Sequence, residues 1–450
     1  MSFFRNVLGT FFTEISILVL NFATGILLAR LLPPSERGVL ALIMLLPVTL
    51  AYFADIGISQ AIVYQLGRSR RPPEQVAANG ITLAFLLGGS IALVIWLARG
   101  WLLHTMLSEV PESYFTLVLY LLPLLLVSNY LLSILRGQQR FAMFNLWRLL
   151  APMCLLLGVI FLVGFLHWGV KGAVIAFVAS NLLGLAFTVL VVGRIVPLRL
   201  GLERSLVFEA VGFGVKSYLQ NLVGHMHYRL DVYLLALFLP PAQVAFYTVA
   251  TSVAEFAFYI PDSVGTVLFP KLSAEADERI NDLTAEVCRH TFLITGLVST
   301  GILIVGWLAI PLFYGAAYRA AIAPFIILMP GILAMAVYKV LTRNFTSRNR
   351  QQVPVVIAVA ALGLNAVLNL LLIPRLGISG AALASLLSYT ALAVVLLYVF
   401  KRRTGIPLRQ ILVLQRSDLE RYVQVWARLR SRLAHRLRWG SKPVDLMSGK

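Results

Sequence analysis

The sequence is poor in charge, and poorest in acid. Of 450 residues only 13% are charged, with 19 Asp and Glu against 38 Lys and Arg, whereas soluble domains carry roughly a quarter. That shortage excludes an ordinary soluble enzyme. Cysteine is scarce as well: Cys154 and Cys288 are the only two and each lies inside an apolar run, so neither a disulfide scaffold nor cysteine-based metal spacing is available. Long polar stretches are also missing, which leaves no room for a water-soluble catalytic domain. The formal charge of +19 sits in short clusters between apolar runs and in the last fifty positions. That distribution follows membrane topology and argues against a nucleic-acid partner.

What is present is apolar surface: 59% hydrophobic residues and a mean hydropathy of +0.86. Runs of about 20 apolar residues recur from end to end, and backbone that crosses hydrocarbon must satisfy its hydrogen bonds within helices. The fold expected is all-α integral membrane, with about twelve spans near 10–32, 38–66, 76–98, 114–135, 145–166, 170–192, 209–239, 243–269, 285–310, 322–342, 353–373 and 378–400. The first run is too long for a signal peptide and reads as the first span. Basic residues fill alternate connections: Arg68, Arg70 and Arg71, then Arg136 and Arg140, then Arg194, Arg199 and Arg204, then Arg348 and Arg350, then Lys401 to Arg403. The other connections offer Arg37, Lys171 and Arg375 singly, so both termini are expected in the cytoplasm.

The chain repeats itself. Residues 27–34 (LLARLLPP) align without gaps on 234–241 (LLALFLPP), and the same offset lays Asp55 on Asp262. Gly169, Gly172, Ala173, Ala176 and Ser180 fall on Gly377, Gly380, Ala381, Ala384 and Ser388. Two homologous six-helix lobes follow, 1–200 and 201–403, with a basic tail over 404–450. An even helix count per unit inserts both lobes in the same sense around a central cleft, the layout of a transporter working by alternating access.

Ionisable groups at bilayer depth cost roughly 2.5–3.5 kcal/mol each on insertion scales, so they mark protein-facing or wet surfaces. On the seventh span Lys216, Gln220, His227 and Asp231 fall on one face at 100° per residue and are assigned to the cleft. Mutual pairing of His227 and Asp231 is the alternative. His225 and Arg229 occupy another face, and the two histidines diverge too far to share zinc. The first span aligns Thr10, Glu14, Asn21 and Gly25 on one face. Glu14 is its only acid, a candidate for ion or proton coupling along with Asp231 and Glu255; an interhelical hydrogen bond is the competing role. Glu255, Tyr259 and Asp262 share a face beside Pro261, and Asp55 and Asp262 are expected to fix packing within each lobe. Lys339 and Arg343, with Lys216 and Arg148 at similar depth, would form an inner cationic vestibule suited to a pyrophosphate, headgroup snorkelling being the alternative. In the tail, Leu419, Tyr422, Trp426, Leu429, Leu433 and Leu437 recur at helical spacing among arginines. That pattern describes an amphipathic helix lying on anionic membrane lipids or docking a partner.

The stretch Ala29-Arg30-Leu31-Leu32-Pro33-Pro34-Ser35-Glu36-Arg37-Gly38, followed by Ala54-Asp55-Ile56-Gly57-Ile58-Ser59, resembles the opening of the polysaccharide transporters. These are a branch of the multidrug/oligosaccharidyl-lipid/polysaccharide flippase superfamily. Tyr228-Arg229-Leu230-Asp231 and Phe269-Pro270-Lys271-Leu272-Ser273 add to the likeness. The resemblance implies two six-helix lobes around a cleft, structural motif residues at Arg30, Asp55, Gly57 and Asp262, and no cofactor. It also implies a non-enzymatic role: moving an undecaprenyl-pyrophosphate-linked oligosaccharide from the inner to the outer leaflet of a bacterial inner membrane, with other polysaccharide assembly proteins as partners. A proton- or sodium-coupled drug exporter of the same superfamily and a membrane glycosyltransferase or polymerase are the alternatives. Pro33-Pro34 where glycine and proline are usual, Leu237 opposite Arg30 in the repeat, and the long basic tail depart from the family pattern.

Overall fold

A computed structural model describes residues 2–67, 71–274, 277–416, 418 and 420. Among them there are helices and no strands. The first six spans are Ser2–Leu31, Pro34–Asp55 continued as Ile58–Gly67, Pro73–Leu97, Glu112–Gly137, Phe141–Gly158 with a π-helical end Val159–Phe165, and Gly169–Gly193. The second six are Arg204–Phe238, Pro241–Ala254 continued as Tyr259–Ala274, Asp277–Ala309 with a π-helical end Ile310–Tyr314, Ile322–Ser347, Gln352–Leu376 and Ile378–Thr404. Eleven described helices are long and apolar enough to cross a membrane. Arg204–Phe238, the seventh, is the exception by composition, since its charged and histidine side chains dilute 35 residues of otherwise spanning length.

The duplication reappears as packing. Within the first six helices, first packs on fifth, fifth on sixth, fourth on sixth, third on fourth and second on fourth. The same pairs recur six helices later: seventh on eleventh, eleventh on twelfth, tenth on twelfth, ninth on tenth and eighth on tenth. Each half thus repeats one packing plan, and fewer contacts cross the seam between them, though buried apolar side chains of both halves join in one core.

Two glycines set how closely the halves approach. A Cβ on Gly38 would lie 1.8 Å from the Pro241 carbonyl oxygen, so the start of the second helix and the start of the eighth touch backbone to backbone. Further along the second helix the chain breaks at Ile56 (φ 45°) and Gly57 (φ 81°), where a Cβ on Gly57 would stand 2.3 Å from the Gly214 carbonyl oxygen. Asp55 restarts the helix by accepting from the Ser59 amide (3.1 Å) and hydroxyl (2.9 Å), the bonding of an N-cap. Tyr130 of the fourth helix donates its hydroxyl to the Asp55 carbonyl at 3.3 Å. Asp262, its counterpart in the repeat, makes a different contact, an ion pair with Lys339.

The amphipathic helix expected over 419–437 lies outside the described residues. The segment leading to it is anchored: buried Asp418 accepts from Arg289 Nε (2.5 Å) and Nη2 (2.8 Å) at the inner end of the ninth helix. Those hydrogen bonds hold the Asp418 carboxyl down at about 2, so the anchor stays charged at any physiological pH.

Gly38→Ala places a methyl group inside the Pro241 carbonyl and should part the halves at this end. The expected result is a longer distance between labels on the second and eighth helices in pulsed electron spin resonance. An unchanged distance distribution would show that the contact does not hold the seam shut.

Candidate substrate cleft and buried polar site

The end of the seam opposite the basic connections, termed outer here, is sealed by side chains as well as glycine. Arg30 at the end of the first helix donates from Nε to the Phe313 carbonyl (2.8 Å) and from Nη2 to the Leu312 carbonyl. These acceptors belong to the π-helical end of the ninth helix, where terminal carbonyls lack amide partners and the helix dipole is negative. Phe22 fills the space beneath, edge-on to Phe256 (5.3 Å), Tyr314 (6.0 Å) and Phe313 (6.3 Å). Arg30 therefore bridges the halves, and the lack of a basic residue at Leu237 makes the bridge one-sided.

Deeper in, the seam is lined by ion pairs. Glu14 of the first helix binds Arg148 of the fifth through both carboxylate oxygens, the second at 2.9 Å. Across from it Arg229 grips Glu255 in two hydrogen bonds (2.7 and 3.1 Å), and Lys339 meets Asp262 at 2.7 Å. Tyr259 feels the charges of Glu14 and Arg148 from one half and of Glu255 and Asp262 from the other. The Glu14 and Asp262 side chains are 42% and 52% exposed. Lys339 also stands over the Phe258 ring at 4.1 Å. Arg343 sits against Gly265 and adds its field to Lys339; it makes no hydrogen bond or ion pair among the described residues. The three pairs cancel, and Arg343 leaves the seam positively biased.

The polar face of the seventh helix points elsewhere than the sequence suggests. Asp231 is 2% exposed inside the second half, accepting from the Tyr247 hydroxyl, from Ser385 Oγ (3.2 Å) and from the Val232 amide (2.8 Å). His227 is 4% exposed and stacks on Tyr389 at 5.1 Å, and its ring nitrogens make no hydrogen bond. His227 and Asp231 do not pair. Gln220 and His227 instead line a cavity of about 50 Å³ with Tyr228, Met335 and Tyr338. Helical periodicity groups His227 and Asp231 correctly, but they turn into their own half, where Tyr247 of the eighth helix and Ser385 and Tyr389 of the twelfth surround them. Arg229 and His225, on the other face, are the ones at the seam. His225 Nε2 meets Thr49 Oγ1 of the second helix at 2.8 Å and its ring stacks on Tyr52 at 4.2 Å. Glu14 and Glu255, expected as coupling acids with an interhelical hydrogen bond as the competing role of Glu14, are both paired to arginine. Arg148, expected in the vestibule, is the partner that neutralises Glu14. Asn21 is exposed on the first helix. The Lys216 side chain lies outside the described residues.

Sequence reasoning passed over Asn365 and Asn369 of the eleventh helix, buried with Ser385 and Ser388 of the twelfth. Asn365 Nδ2 donates to Ser388 (3.1 Å) and Ser385 (3.4 Å), and Asn369 donates to Asn365 Oδ1 (2.9 Å). Two asparagines four apart in an apolar run were the available signal. Glu286, His290 and Asp418 also converge, within 4.8 Å of one another, but the Arg289 guanidinium already holds both Asp418 oxygens and opposes a metal there.

Removing one member of a desolvated pair strands the other, whereas removing both does not. Glu255→Leu alone should therefore destabilise the protein by roughly 1–3 kcal/mol, between the exposed and fully buried limits. Arg229→Leu with Glu255→Leu should restore part of that loss. Additive losses in a double-mutant cycle would show the pair to be uncoupled.

Comparison with known proteins places this geometry. Residues 27–323 match the family described as polysaccharide biosynthesis protein. A probable low-salt glycan biosynthesis flippase, Agl15 of Haloferax volcanii, is 24% identical over 177 residues, a match spanning 38% of this chain and 38% of the relative's length. Among solved structures, the lipid II flippase MurJ in an inward closed conformation aligns with a TM-score of 0.73 and 15% identity, covering 91% of this chain and 89% of that one. An inward-facing multidrug resistance transporter of the MATE family aligns with a TM-score of 0.66 and 16% identity, covering 86% and 94%. The chain thus has the two-lobed helical fold of the MOP superfamily, and it belongs to the polysaccharide biosynthesis protein family.

Proposed function

We propose that the protein is a flippase for a lipid-linked oligosaccharide, taking an undecaprenyl-pyrophosphate headgroup from the inner leaflet of a bacterial inner membrane and releasing it at the outer one. The observation that carries this reading is the positively biased seam, sealed at its outer end by Arg30 and exposed at Glu14 and Asp262. A charged sugar head crosses hydrocarbon slowly because its polar surface loses water without replacement. A wet cleft between the lobes (1–200 and 201–403) gives that surface a sheltered path while the lipid tail stays in the bilayer.

The ion pairs suggest how the headgroup is held. In the empty carrier Arg148, Arg229 and Lys339 are satisfied by Glu14, Glu255 and Asp262, which avoids uncompensated charge in a desolvated site. An arriving pyrophosphate offers more oxygens and more charge than one carboxylate and competes for the same cations, bidentately at each arginine. Arg343 adds charge that no carboxylate among the described residues cancels. The displaced Glu14 and Glu255 become free to take protons or cations. Asp231, with its shell of Tyr247 and Ser385, is the third coupling candidate. Release of substrate and rocking of the lobes then restore the pairs. No bond is made or broken, so the protein acts as a carrier and not an enzyme. The basic tail, 404–450, would rest on anionic lipids of the cytoplasmic leaflet, where both termini lie, within reach of other polysaccharide assembly proteins.

A coupled drug exporter of the same fold is the second reading. The exposed carboxylates Glu14 and Asp262 favour it, since an organic cation would seek them. The surplus at Arg343 opposes it.

Surface-glycan export in a cell depending on this protein distinguishes the two readings. Arg229→Ala, Lys339→Ala and Arg343→Ala, each at normal protein level, are expected to lower export about tenfold or more, with Lys216→Ala alongside. Export unchanged in all four would end the cationic-cleft reading. In vesicles, transport should fall when the proton or sodium gradient is collapsed; insensitivity to both would remove the coupling role of Glu14, Glu255 and Asp231.

A further inference from the structure

The double proline that opens the eighth helix has a consequence for the seventh. Pro240 and Pro241 carry no N–H, so the carbonyls of Ala236 and Leu237 have no amide four residues on to bond. Leu239, the last residue able to donate, bonds Leu235 at 2.8 Å. These carbonyls end a 35-residue helix, where the dipole is negative. Ala236 and Leu237 are among the residues lining a pocket of about 230 Å³ at the outer end of the seam, beside the Gly38–Pro241 contact.

The opposite wall comes from the other half. It is the turn Thr105 to Glu109 after the third helix, with Leu42 of the second. Leu107 is buried and its amide bonds the Leu102 carbonyl at 2.9 Å, which fixes the turn. Thr105 donates its hydroxyl hydrogen to the Trp101 carbonyl (2.8 Å), so its oxygen is left as an acceptor. Glu109 is the only ionisable residue lining the pocket, and it makes no ion pair among the described residues; its neighbour Glu112 is already engaged by Arg99 at 3.3 Å. The lining residues thus include one carboxylate, two hydroxyls and the residues that carry the unbonded carbonyls, and no basic side chain.

We infer that this pocket is a site for a hard divalent cation of calcium's kind, held between the lobes at the outer surface by Glu109 and the carbonyl end of the seventh helix. An oxygen-only, flexible donor set suits calcium over softer metals. One carboxylate makes the site weak, in the range of about 10⁻⁴–10⁻³ M typical of extracellular modules. Because the two walls belong to different lobes, the ion binds the outer-closed arrangement in preference to an outer-open one, and external calcium shifts the resting carrier toward outer closure. The site is independent of the proposed substrate and persists whether the carrier moves glycans or drugs.

Equilibrium dialysis with radioactive calcium on the full chain in an uncharged detergent tests this. The expected result is one saturable site, weakened at least tenfold in Glu109→Gln and unchanged in Glu112→Gln. Sodium chloride at matched ionic strength should not compete. Gly38→Ala, which parts the walls, should also weaken binding. Absence of saturable binding, equal binding in Glu109→Gln, loss in Glu112→Gln, or competition by sodium would overturn the site. Undiminished affinity in Gly38→Ala would overturn its link to the seam.

Discussion

A charge taken out of water must find a partner, and most of what is distinctive in this protein follows from that requirement. The bilayer supplies no hydrogen bonds, so charged groups at depth are favoured where protein matches them or a wet cleft exposes them. The protein uses both solutions in different places. Asp231, Asn365, Asn369, Ser385 and Ser388 are matched inside one lobe and form a closed polar core. Glu14, Arg148, Arg229, Glu255, Lys339 and Asp262 are matched along the seam, where the pairs remain accessible. Pairs of the first kind hold a lobe together; pairs of the second kind can be exchanged.

The outer end of the seam is built on different physics. Gly38 against Pro241 is backbone contact, Phe22 with its three ring neighbours is apolar packing, and Arg30 on the ninth-helix carbonyls is a charge-assisted bond. All three depend on helix ends. The π-helical end at Ile310–Tyr314 leaves carbonyls without amide partners, and those of Leu312 and Phe313 are where Arg30 docks. A regular helix terminus would have offered Arg30 less.

The repeat gives two lobes of one packing plan, but function resides where the copies differ. Arg30 faces across the seam while its counterpart is Leu237. Asp55 caps a helix restart while Asp262 binds Lys339. Symmetric lobes with asymmetric linings suit a carrier, because the scaffold must rock as two similar bodies while the site must distinguish one end of its substrate from the other.

Hydropathy and repetition are properties of short windows, so the helical spans, the duplication and the shared face of His227 and Asp231 were legible from the chain itself. Periodicity relates side chains on one helix to each other and says nothing about how that helix is rotated against its neighbours. Tertiary packing decided that Asp231 and His227 turn inward while Arg229 and His225 face the seam, and that Glu14 meets Arg148 across 134 positions of sequence. Pairings of that kind arise from the docking of whole helices, whose energy is summed over many residues, and no local pattern encodes it.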